Sequence, residues 1–173
     1  MRHVISVLLQ NEVGALTRMT GMFSSRGYNI DTLNVAPTDD PTVSRVTLVT
    51  TVSDAAIAQL NRQLAKLVDV VNIHDMTLGE HFEQELVIVK LKLGIGGLAK
   101  VLLLAKKFGA QILDEAAVSC TVQLTGGVSE IDEFVAAAGA IGKLSAVARS
   151  GSVAVSKGEV ILSSFDANHQ LSA

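Results

Sequence analysis

Tryptophan is absent from this chain, and aromatic residues make up only 3% of its 173 positions. Proteins that hold single strands of nucleic acid stack bases on aromatic side chains, so that class is disfavoured. No run of lysine or arginine occurs, and the formal net charge is −3. Neither a phosphate backbone nor an anionic membrane surface is therefore a natural partner. Cysteine is nearly absent as well. Cys120 stands alone, which excludes an intrachain disulfide and a cysteine-based zinc site. Inside an apolar run it reads as a small buried hydrophobe. Met1-Arg2-His3 leads directly into an apolar run of only six residues, too short for a signal-peptide core or a membrane span. A reducing, cytoplasmic setting is the expectation.

Groups that do chemistry are missing in the same way. The histidines are His3, His74, His81 and His169, and no two stand at metal-ligand spacing. No nucleophile elbow of the GxSxG type occurs. Asp39-Asp40 lies between Pro37 and Pro41, where a solvated turn is a plainer reading than a metal site. Gly94-Ile95-Gly96-Gly97 lacks both the GxGxxG spacing and a following Gly-Lys-Ser/Thr, so it reads as a turn into a helix rather than a phosphate loop. No catalytic set and no metal site are expected.

What the chain does have is apolar residues, 49% of the total, at regular periods. Residues 4–9 are apolar on both parities, a strand to be buried on both faces, and a second copy of the chain is one way of covering the outer one. Leu16, Met19 and Phe23 recur at helical spacing, and Gly27 is a stop signal. Strands follow over 30–36 and 43–52. Asp54 reads as the cap of a helix carrying Ile57, Leu60, Leu64 and Leu67, before a strand over 68–76. The order is βαββαβ, that of a ferredoxin-like sandwich. The polar stretch 79–85 reads as a linker. The second half repeats the plan, with a strand over 86–93, a helix over 98–108 stopped by Gly109, paired strands over 110–115 and 118–125, a helix starting near Ser129 and Asp132, and a last strand over 145–155. The fold class is α+β, two ferredoxin-like domains at 1–78 and 86–162, with 163–173 read as a disordered tail.

One stretch invites a ligand. Asn11-Glu12-Val13-Gly14-Ala15-Leu16 joins the first strand to the first helix. The leading N–H groups of a helix lack internal partners and carry the positive end of its dipole, which suits the carboxylate of a free amino acid. On spacing alone the turn is either a plain connection or such a site. Asn29 opens the second strand. In a βαβ unit it belongs at the far end of the sheet from the turn, so only a second subunit could bring its own Asn29 there.

The motifs Asn11–Leu16, Phe23-Ser24-Ser25-Arg26-Gly27-Tyr28-Asn29-Ile30, Val35-Ala36-Pro37-Thr38-Asp39-Asp40-Pro41, Lys66-Leu67-Val68-Asp69-Val70 and Val147-Ala148-Arg149-Ser150-Gly151 closely resemble the small regulatory subunit of acetolactate synthase (acetohydroxyacid synthase). The resemblance covers about residues 1–160. It implies an N-terminal ACT domain, no active site and no cofactor in this chain. Thiamine diphosphate, Mg and FAD are expected only on a separate large catalytic subunit, which this chain would activate and make sensitive to valine or another branched-chain amino acid. It also implies a homodimer through the ACT domain, in which Asn11, Gly14, Ala15 and Leu16 of one subunit meet Asn29 and Ile30 of the other around the effector. The Leu98–Leu104 run is more apolar than the resemblance leads one to expect, and reads as an added interaction surface. A free-standing amino-acid-sensing module with another partner is the alternative.

Overall fold

In the computed structural model, residues 1–159 and Leu162 are described; the tail expected at 163–173 lies outside the described residues. The elements are β1 (Arg2–Gln10), α1 (Ala15–Ser25), β2 (Thr32–Pro37), β3 (Val43–Thr51), α2 (Asp54–Leu64), β4 (Val70–Asp75), β5 (His81–Lys92), α3 (Gly97–Phe108), β6 (Gln111–Ala116), β7 (Ser119–Gly126), α4 (Val128–Ile141), β8 (Lys143–Arg149) and β9 (Val153–Ser156). Two α+β units result, each carrying βαββαβ.

In the first unit the strand order is β2-β3-β1-β4, antiparallel throughout. Ile5, Val7 and Leu9 of β1 and Val46 and Leu48 of β3 face α1 and α2, where Met19, Phe23, Leu60 and Leu64 close the core. This is the period-two, period-3.6 match that the sequence pattern demands. α1 ends where Tyr28 N–H donates to Phe23 O and Gly27 N–H to Ser24 O, with Gly27 at φ +69°. Those two bonds take up carbonyls the helix end leaves free. α2 is capped by Ser53, whose hydroxyl accepts from Ala56 N–H, rather than by Asp54, which is its first residue. β1 is buried on both faces. Its outer face is covered from within the chain, where Val4 packs with Val49, Met76 and Ala154, so that burial gives no argument for a second copy.

The second unit runs from Glu83 to Gly151, with strand order β6-β7-β5-β8. Val87, Val89 and Leu91 alternate inward on β5 and meet Val101 and Ala105 of α3 and Ile131, Phe134 and Ala138 of α4. The rings of Phe108 and Phe134 meet edge to face at 5.5 Å. Cys120 is fully buried in this core, and burial pushes its thiol up from the ordinary value.

Three further expectations differ from the structure. The stretch 79–85 is not a linker throughout, because β5 begins at His81. Its inward position at Glu85 is polar, and Arg149 neutralises it with two hydrogen bonds, Nε to Oε1 at 2.8 Å and Nη2 to Oε2 at 2.7 Å. The strand expected over 145–155 is broken into β8 and β9 at Ser150-Gly151-Ser152, with Gly151 at φ +72°. After this break the chain from Ser152 belongs to the first unit, where Ala154 is buried, and β9 pairs with β5. Finally, α4 starts after Gly127 with no side-chain cap, so Ser129 and Asp132 do not cap it.

Candidate functional site

The turn between β1 and α1 is built around one unusual backbone position. Gly14 precedes α1 at φ +88°, ψ −14°, a left-handed conformation, and no side chain caps the helix. An L-residue there is strained, so glycine is required by the path of the chain. Ala15 N–H is bonded to Glu12 O, and Arg18 N–H to Gly14 O. Leu16 and Thr17 are first-turn positions, whose N–H groups an α-helix leaves without internal acceptors. Asn11 ties the turn to the β2–β3 hairpin: its N–H donates to Thr42 O at 2.8 Å and its Nδ2 to Pro41 O at 2.9 Å. The hairpin is itself held by Asp40, which accepts from Thr42 N–H and the Thr42 hydroxyl; these bonds hold its carboxyl below the usual range.

Arg18 and Asp69 complete the turn. Arg18 Nε and Nη2 donate to the two Asp69 carboxylate oxygens at 2.6 and 2.7 Å. Asp69 is buried, and its backbone carbonyl accepts Gln10 N–H, so the pair locks the start of α1 to the α2–β4 connection. The hydrogen bond from Arg18, against the opposing effect of burial, keeps the Asp69 carboxyl below its ordinary value. The same bond raises the guanidinium. The third guanidinium nitrogen, Nη1, lies 2.7 Å from where a Cβ on Gly14 would sit, so the cation rests directly against the turn. Sequence reading missed this pair. The two residues stand 51 positions apart, and a lone arginine on a polar helix face carries no local signal.

The structure gathers Asn11, Gly14, Ala15 and Leu16 at one end of the first sheet. Ala15 is buried, so only its backbone faces the turn, whereas Leu16 is partly exposed and Val13 projects fully into solvent. Asn29 and Ile30 lie at the other end. Asn29 O accepts the Thr50 hydroxyl at 2.6 Å, and its Nδ2 donates to Asp31 Oδ1 at 2.8 Å. Asn29 is exposed, and Ile30 leans on the first core. Thr42, just before β3 and beside Asn11, and Thr50 of β3, beside Asn29, are eight residues apart, which is roughly 26 Å of extended chain. No single copy brings the two groups together.

Two family descriptions match this chain: "AHAS small subunit-like ACT domain" over residues 5–72 and "Small subunit of acetolactate synthase" over residues 84–158. The chain is 44% identical over 162 residues to the acetolactate synthase isozyme 3 small subunit of Salmonella typhimurium, covering 94% of this chain and 99% of that protein. It is equally similar, with the same coverage, to the isozyme 3 small subunit of Escherichia coli. The crystal structure of the acetolactate synthase small subunit from Thermotoga maritima superposes with a TM-score of 0.84 at 25% identity, covering 92% of this chain and 99% of that one.

Proposed function

This chain belongs to the acetolactate synthase small-subunit family, and from that premise we propose that it is the non-catalytic regulatory partner of an acetolactate synthase catalytic subunit. It raises that subunit's rate and transmits feedback inhibition by valine or another branched-chain amino acid. The effector sits between two first units of a homodimer. Its carboxylate takes the first-turn N–H groups of α1 at Leu16 and Thr17, with Arg18 Nη1 adjacent. Its branched side chain lies against Leu16 of one copy and Ile30 of the other, and Asn29 of that other copy hydrogen-bonds the polar end.

The observation that carries this reading is the separation just described. An anion-favouring helix start and an exposed asparagine lie at opposite ends of one sheet, so a site using both must be shared between copies. Gly14 has no side chain to cover the helix start, and Arg18 keeps its cation beside it without competing for the N–H groups.

The test is the rate of pyruvate condensation by the catalytic subunit, with and without this chain, across a valine titration. The reading predicts no turnover by the chain alone, a higher rate when it is added, and loss of that gain as valine rises. Turnover by the chain alone, or a catalytic subunit indifferent to it, would refute the reading.

A further inference from the structure

Two helices of the second unit carry complementary exposed stripes. On α3, Ala99, Leu102, Leu103 and Lys106 fall on one helical face, all exposed, with Leu103 70% accessible. On α4, Ser129, Glu133, Ala136 and Ala140 form a matching face of mostly small residues, also exposed. The charges are segregated. Every charged residue of α3 is a lysine (Lys100, Lys106, Lys107), and every one of α4 is acidic (Glu130, Asp132, Glu133). Lys107 Nζ lies 3.3 Å from Glu133 Oε1, which places the end of α3 beside the beginning of α4, so the two helices run antiparallel.

We infer that this helix layer docks against the same layer of a second copy of the chain. A twofold axis parallel to the helices and between the layers sets α3 of one copy over α4 of the other, again antiparallel, and the contact is self-complementary. With Leu103 on Ala136 of the second copy, Lys106 meets Glu133 of that copy and Ala99 meets its Ala140. The bulky stripe fills the shallow one, and each lysine edge faces an acidic edge. Setting α3 on α3 would oppose lysine to lysine. An unrelated partner would have to supply both an acidic and a basic edge in this spacing, whereas a second copy already has them. The contact lies wholly in the second unit and does not depend on the pairing of first units proposed above.

Full-length chains carrying Leu103→Cys and Ala136→Cys, purified separately and mixed under mild oxidation, test it. Native Cys120 is fully buried and stays out of the reaction. We expect an interchain 103–136 disulfide, identified by peptide mass, at least about tenfold more abundant in the mixture than any linked species from either protein alone. Adding Lys106→Glu to the first chain should lower the yield, and adding Glu133→Lys to the second should restore it. A mixture no better linked than its components, a yield blind to Lys106→Glu, or a link abolished by adding catalytic subunit would overturn the inference. The last outcome would assign the face to that subunit instead.

Discussion

Substituting Gly14 by aspartate acts on the proposed site in two separable ways. The first is conformational. Gly14 sits at φ +88°, and leaving a side chain in that region costs roughly 1–2 kcal/mol, aspartate being among the better tolerated residues there. Its Cβ would fall 2.7 Å from Arg18 Nη1, the mobile end of a side chain that two bonds to Asp69 nevertheless hold. Folding therefore survives, with a loss of several degrees in the melting transition of the first unit. The second effect is electrostatic. The new carboxylate occupies Arg18 Nη1 and stands where the effector's own carboxylate must bind. At about 4 Å, two like charges repel by about 1 kcal/mol in water and about 4 kcal/mol at an effective dielectric of 20. Effector binding should weaken at least about tenfold. Gly14→Ala is the control, since it carries the backbone strain without the charge. Isothermal titration with valine, beside the coupled assay of the catalytic subunit, reads both effects. The expected Gly14→Asp protein still raises the catalytic rate but is no longer inhibited, whereas Gly14→Ala keeps most of its sensitivity. Ordinary valine inhibition through a folded Gly14→Asp protein would remove the helix start from the site, and equal losses in the two variants would refute the charge argument.

Other consequences are as direct. The Asp69 carboxyl is held below its unfolded value, so the Arg18 pair contributes stability above the ordinary carboxylate range and loses it as pH falls through the lowered folded value. Melting curves of wild type and Asp69→Asn should thus differ at neutral pH and converge in acid; a gap independent of pH would contradict this. Arg149→Met strands the buried Glu85 and frees Asp132, and should cost about 2–3 kcal/mol in urea denaturation, less than a fully buried pair because Arg149 is one-third exposed. Converting Glu85 to Gln in the same chain should recover part of the loss. Ser53→Ala should cost about 1 kcal/mol through the lost cap of α2, with Asp54→Ala nearly silent, and chemical denaturation of both checks which residue caps the helix.

The regular part of the fold was legible because its burial follows strict periods. β1 and α1 differ from their expected bounds by one or two residues, and Gly27 and Gly109, read as helix stops, take φ +69° and +67°. Legibility failed where a long-range ion pair substitutes for apolar character. Glu85 sits at an inward position of β5, but a glutamate in a polar stretch signals a linker until Arg149, 64 residues away, is known to neutralise it. The break after Arg149 was hidden for another reason. Val153 to Val155 continues the apolar pattern of β8, and only the turn at Gly151 and the patch formed by Val4, Val49 and Met76 send Ala154 back to the first unit. Of the candidate site, the turn was visible in its glycine and the first-turn pattern of α1. The opposed positions of Asn11 and Asn29 followed from βαβ topology alone. The pairing of Arg18 with Asp69 was not legible, because nothing local distinguishes a clamp from a solvated pair.

The central claim is that one effector site takes its helix start from one copy and its asparagine from another, and that the site governs the catalytic subunit. A mixing experiment addresses it most directly. Asn29→Ala truncates an exposed side chain and should leave the fold within about 0.5 kcal/mol of wild type. Gly14→Asp and Asn29→Ala proteins, each alone, should stimulate the catalytic subunit without responding to valine. Unfolded together and refolded as a mixture, they form mixed dimers in which one site carries both changes and the other carries neither, so about a quarter of all sites are restored. Valine inhibition of the catalytic rate should then reappear in the mixture at close to the wild-type midpoint but with reduced amplitude. A mixture as insensitive as its two parents would contradict a site shared between copies.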